Sequence, residues 1–134
     1  MGFDLYGIKA KSKSGEYFRN NVWWWRKLWD FTYAICQDFL TEQDHQEGHM
    51  NNGHEINKIK AIAIAERIKS EIADGIAKQF SIDNKATIKR TKENNKTHKA
   101  GTPGYDWQEA YPFSIKNLKD FEKFCRNSGG FTIY

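Results

Sequence analysis

Within Tyr17–Trp29, thirteen residues hold four of the five tryptophans of this 134-residue chain, together with Arg19, Arg26 and the adjacent pair Asn20 and Asn21. Asn20 and Asn21 are good helix N-cap residues, because a short side-chain oxygen accepts a hydrogen bond from an orphan N–H of the first turn. No Gly or Pro interrupts Val22–Leu40, so a helix is expected there. At about 100° per residue, Trp24, Trp25, Leu28, Trp29, Phe31, Ile35, Cys36, Phe39 and Leu40 fall on one face and read as core. Trp23 falls with Lys27, Asp30 and Gln37 on the other face and is the tryptophan out of place. The N-terminus of this helix presents free N–H groups and positive potential to an anion. Arg19 sits just before it, and Arg26 lies one turn in on the side of Trp23. An indole, two guanidiniums and free backbone amides are the parts that hold a nucleotide, with the base on the ring and the phosphates on arginine. Asn20 and Asn21 would then serve the base or ribose. Arg19, Asn20, Asn21, Trp23 and Arg26 are therefore the candidate ligand-binding residues.

Two further clusters could do chemistry. His45, His49 and His54 lie four and five residues apart, near Asp44, Glu47 and Glu55. On one helical turn His45 and His49 could share a metal, with His54 or a carboxylate as third ligand. The spacing matches no established metal signature, and the expectation is a polar connector without a metal. Between Asp83 and Ala100, Lys85, Lys89, Arg90, Lys92, Lys96 and Lys99 stand against Asp83 and Glu93, six minus two, which equals the whole net charge of +4. A cationic segment of this kind attracts phosphate-bearing partners over a Debye length of about 10 Å. No Gly-rich phosphate loop, no nucleophile in a recognisable setting and no acid–base carboxylate pair stand out, so catalysis is not expected and no cofactor is called for.

The elements that must position these residues follow from the pattern. Phe3–Ile8 alternates as a short strand, and Lys11–Gly15 is a turn. After the aromatic helix, Thr41–Gly53 is a polar connector closed by Asn52-Gly53. From about Glu55 to Phe80 Ile64, Ile68, Ile72, Ile76 and Phe80 recur every four residues, predicting the longest helix, with Gly75 as the place of a close crossing. Residues 81–104, poor in large apolar side chains, are expected to form a basic mobile loop. Asp106–Glu109 and Tyr111–Phe113 return the chain to the core. Ser114 caps a last helix, Gly129-Gly130 stops it, and Phe131–Tyr134 is a closing strand. The expected fold is α+β in a single domain, 1–134: three main helices on a small sheet made by the N- and C-terminal strands. Cys36 and Cys125 read as reduced core residues. No run approaches the roughly 18 apolar residues of a membrane span, and the opening lacks a signal peptide's basic and apolar regions, so a cytoplasmic protein without a membrane partner is expected. The pattern sets no oligomeric state and is compatible with self-association.

The opening Gly2-Phe3-Asp4-Leu5-Tyr6-Gly7, the run Tyr17–Trp29, the connector ending at Asn52-Gly53, Tyr111-Pro112-Phe113 and Ser128-Gly129-Gly130-Phe131 resemble a group of small uncharacterised bacteriophage and prophage proteins. The resemblance spans nearly the whole chain and is weakest over residues 81–104. It implies a phage accessory role, of the kind that counters host defence. Combined with the aromatic cluster, the leading expectation is capture of a phosphate-bearing small molecule, a nucleotide immune signal of the host. A protein-binding inhibitor of a host defence effector such as a CRISPR enzyme is the second, since Trp and Arg dominate interface hot spots. Single-stranded nucleic-acid binding through Lys85, Lys89, Arg90 and Lys92 is the third.

Overall fold

The computed structural model describes residues 2–107 and 110–134. Four antiparallel strands, β1 (Gly2–Gly7), β2 (Tyr17–Asn21), β3 (His54–Ile56) and β4 (Phe131–Ile133), form one sheet in the order β2-β1-β4-β3. The expected pairing of the two ends is at its centre, with Leu5 opposite Ile133 and Gly7 opposite Phe131. The sheet is wider than expected: Tyr17–Asn21 is a strand against β1, and His54–Ile56 pairs with β4. Alternation sends Phe3, Leu5, Ile56, Phe131 and Ile133 into the core, while Asp4, Tyr6, Tyr17 and Arg19 take the opposite face.

Five α-helices are described rather than three: α1 (Val22–Ile35), α2 (Glu42–Gly48), α3 (Lys58–Ala73), α4 (Ile76–Thr97) and α5 (Ile115–Ser128). Side-chain caps start α1, α2, α3 and α5, from Asn21, Thr41, Asn57 and Ser114. Each satisfies an N–H that the first turn leaves open. Gly129, at φ 70°, ends α5 in the left-handed conformation expected of a C-cap. Trp25, Trp29, Leu28, Ile64, Ile68, Leu118, Phe121 and Phe124 fill the core between the sheet and the helices.

Two expectations are corrected. The long isoleucine helix is broken at Gly75, whose φ of 79° ends α3 and starts α4; no neighbour lies within 4 Å of a Cβ built there, so it is a bend and not a crossing. Residues 81–97 belong to α4 rather than to a mobile loop. Beyond Phe80 the buried residues of this helix, Ser81, Asn84 and Thr91, are polar. Asn84 donates to the carbonyl of Tyr111, Asn94 to that of Gly104, and Asn95 exchanges two hydrogen bonds with the backbone of Asp106. The segment after α4 thus runs back along the helix and is held by amides instead of apolar side chains. Phe113 closes it by packing against Phe31 and Phe80. The expected return to the core at Asp106–Glu109 does not occur at Trp107, which is 68% exposed, and Gln108 and Glu109 lie outside the described residues.

The end of β1 is interlocked with α5. Ile8 and Lys9 donate to the carbonyls of Gly130 and Ser128, and a Cβ on Gly7 would stand 1.9 Å from the Gly15 carbonyl oxygen and 3.1 Å from that of Ser128. These are backbone atoms that cannot rotate away. Gly7→Ala is expected to destabilise the fold by about 2–3 kcal/mol, read as a lower urea midpoint at unchanged slope.

Candidate functional site

Trp23 is 53% exposed at the start of α1. It opens onto a cleft of about 690 Å³ whose other walls are Lys92, Asn95 and Lys96 of α4 and Tyr105, Trp107 and Tyr111 of the returning segment. Two aromatic pairs line it, Trp23 with Tyr111 at 5.3 Å and Tyr105 with Trp107 at 4.7 Å between ring centres. Asn95 and Thr91 fix the position of the floor by their bonds to Asp106. The volume lies within the range of small-molecule sites, and the lining combines flat apolar rings with cationic side chains.

The sequence-predicted residues are divided by the fold. Asn21 caps α1 by accepting from the Trp24 N–H at 3.1 Å, which uses one of the amides expected to face an anion. Because β2 alternates, Arg19 and Asn20 point to opposite faces of the sheet. Arg19 pairs with Asp4 at 2.8 Å on the outer face. There, hydrogen bonds from the Tyr17 hydroxyl and the Arg19 guanidinium hold the Asp4 carboxyl below its ordinary value. Asn20 exchanges amide hydrogen bonds with Asn117 at the start of α5. Trp24, expected in the core, is half-buried beside Asn20 and lines a separate shallow cleft. Arg26 is half-buried one turn along α1 and does not border the Trp23 cleft. Of the five expected ligand residues, Trp23 alone reaches the cleft.

The basic segment supplies the cations instead. On α4, Lys85, Lys89, Lys92 and Lys96 are spaced i, i+4, i+7 and i+11, all exposed. They form one stripe of about 16 Å along the helix. Lys92 and Lys96 border the cleft and Arg90 borders a neighbouring one. Like charges at i, i+3 and i, i+4 each cost a helix a few tenths of a kcal/mol, and Lys96 alone of the four has an ion-pair partner among the described residues, Glu93 at 3.1 Å. Tyr105 and Asn95 were not singled out by sequence, Trp107 and Tyr111 were expected to return to the core, and Lys96 was read only as part of the basic loop. The signal available was four lysines at heptad-like spacing, which a helix turns into a stripe and a loop does not.

The histidines divide as well. His45 and His49 each place Nε2 2.8 Å from the same Oδ1 of Asp30. Burial pushes the Asp30 carboxyl up, but hydrogen bonds from His49 and His45 outweigh it and leave the group below its ordinary value. His54 turns elsewhere: its ring bridges Asp44 at 2.8 Å and Glu47 at 2.9 Å. Both thiols are buried and free of disulfide. Burial pushes Cys36 up to about 12 and Cys125 well above its ordinary value, so neither is a nucleophile at neutral pH. No described helix is long and apolar enough to cross a membrane. No family model, curated protein or solved structure matches the chain.

Proposed function

We propose that this chain is a non-catalytic binding protein that captures a nucleotide-like ligand in the Trp23 cleft. The observation that carries the reading is the convergence of four aromatic rings with Lys92 and Lys96 in one concavity. A base inserts among Trp23, Tyr111 and Trp107, and the phosphates lie toward the lysines. Arg19, Asn20 and Asn21 hold the strand and helix that carry Trp23 and do not touch the ligand. Sequestering a nucleotide immune signal of the host is the counter-defence role such binding serves.

The extension of the lysine stripe to Lys85 and Lys89 favours a second reading, a short single strand whose backbone follows α4 while one base stacks in the cleft. Calorimetry and tryptophan fluorescence against ATP, ADP-ribose, cyclic dinucleotides and oligothymidylates separate the two. Capture of a small nucleotide is expected to give one site per chain. Trp23→Ala should weaken it about 10- to 100-fold, the worth of one stacked base. Lys92→Ala with Lys96→Ala should lower both affinity and its salt dependence. Strand binding would instead strengthen with length and depend on Lys85 and Lys89. Binding unaffected by Trp23→Ala, or a null panel, overturns the proposal; a null panel moves the weight to a host defence protein docking on Trp23 and Trp107.

A further inference from the structure

The cluster of Asp30, His45 and His49 is separate from the cleft residues, and nothing in the proposed ligand capture uses it. Its geometry is built from the core outward. Trp25 donates from Nε1 to the Gly48 carbonyl at 2.8 Å, and Trp29 from Nε1 to the His45 carbonyl at 3.1 Å. Gly48 lies so close to the Trp29 indole that an added Cβ would fall 2.1 Å from Nε1. The two buried indoles therefore lock α2 against α1 at one depth and one rotation. That setting brings His45, and His49 at the helix's C-cap, over Asp30 on the outer side of α1. The Tyr33 ring stacks on His45 at 4.2 Å and 6°, which fixes the plane of that imidazole.

The two Nε2 atoms and one carboxylate oxygen all lie within 4.8 Å of one another. Metal–nitrogen and metal–oxygen bonds of about 2.0–2.2 Å in a tetrahedron separate the ligand atoms by roughly 3.3 Å. The present 2.8 Å contacts need to open by about half an ångström, within reach of side-chain torsions alone. The His49 ring also has its Nδ1 buried without a hydrogen-bond partner among the described residues. The polar contact this ring makes is the one from its Nε2 to Asp30. The remaining coordination positions are on the solvent side, where the Asp30 side chain is 54% exposed.

We propose that Asp30, His45 and His49 form a site for one divalent zinc-class cation, three protein ligands with at least one position open to water or a ligand. Two imidazoles and a carboxylate suit zinc or cobalt and do not suit magnesium or calcium, which take oxygen ligands. His54, held by two carboxylates of its own, takes no part.

The test uses the intact chain freed of metal with EDTA. Calorimetry with zinc chloride is expected to give one site per chain, and cobalt(II) is expected to develop visible bands of a low-coordinate site in the unaltered protein. Magnesium chloride should give no heat at the same concentrations. His45→Ala with His49→Ala should weaken zinc binding at least 100-fold with circular dichroism unchanged, while His98→Ala, in the segment after α4, leaves it intact. Two results overturn the proposal: no stoichiometric zinc and no cobalt bands in the unaltered chain, or zinc binding that survives the double histidine variant. Nucleotide capture by the EDTA-treated protein reports on the cleft by itself.

Discussion

Trp25→Ala is expected to lower the stability of the protein by about 4 kcal/mol, within the range for removing a buried indole, and its melting temperature by roughly 12–20 °C for a domain of this size. Trp25 is fully buried, stacks on Trp29 at 5.3 Å and 13°, and meets Phe121 edge-on at 5.6 Å. Its truncation leaves a cavity where three elements meet. It also orphans the Gly48 carbonyl, the last turn of α2. Trp25→Phe helps to separate these two effects, because it keeps a six-membered ring in the core and removes the Nε1–H donor along with the smaller ring. It is expected to cost less, about 1–3 kcal/mol for an unmet buried acceptor. Hydrogen exchange should then show α2 opening before α3 and α5. Equal losses for Trp25→Phe and Trp25→Ala, or a loss under about 1 kcal/mol for Trp25→Ala, would show that α2 is not held through this indole.

Asp44→Asn is expected to destabilise the protein by about 3 kcal/mol at pH 7, because removing one partner strands the others. Asp44 is 4% exposed, accepts from Lys60 Nζ at 2.7 Å and the Thr41 N–H at 3.0 Å, and meets the His54 ring. Burial pushes its carboxyl up, but these partners outweigh it and bring it from an ordinary 3.8 down to about 2. The folded value lies below the unfolded one, so the unfolded chain binds the proton more readily. The stabilisation is complete above about pH 4 and is lost as pH falls from there toward 2. At 1.36 kcal/mol per pH unit, that gap is worth about 2 kcal/mol. Urea unfolding of wild type and Asp44→Asn should give a difference that is constant from pH 7 to 5 and narrows below pH 4. A difference that holds its pH 7 size down to pH 2.5 would mean Asp44 does not act through its charge.

The α+β class, the pairing of the two ends, and the caps at Asn21, Ser114 and Gly129 were legible in the sequence. So was the place of Trp23 on the polar side of α1, whereas its exposure is set by the structure. These are local or nearly local properties: a cap needs only its own first turn, and helical periodicity sorts the faces of a helix without reference to its neighbours. The clustering of Arg19, Asn20 and Asn21 with Trp23 did not survive as a site, because Tyr17–Asn21 is a strand. Its period of two sends Arg19 to Asp4 and Asn20 to Asn117, a partner 97 residues away that no local pattern announces.

Tertiary structure alone decided the status of residues 81–97. Their poverty of apolar side chains reads as a loop, yet Asn84, Asn94 and Asn95 bury polar atoms against the backbone of the returning segment. Amide-to-backbone bonds satisfy a buried face as fully as apolar packing does, but they carry no hydrophobic period to read. The same is true of Asp30. It lies on the polar face of α1, fifteen residues from His45 in sequence, and becomes its neighbour only because Trp25 and Trp29 fasten α2 across the outside of the helix. The residue types for an aromatic cleft and a three-ligand cluster were all present in the sequence. Which of them meet was set by contacts between distant segments.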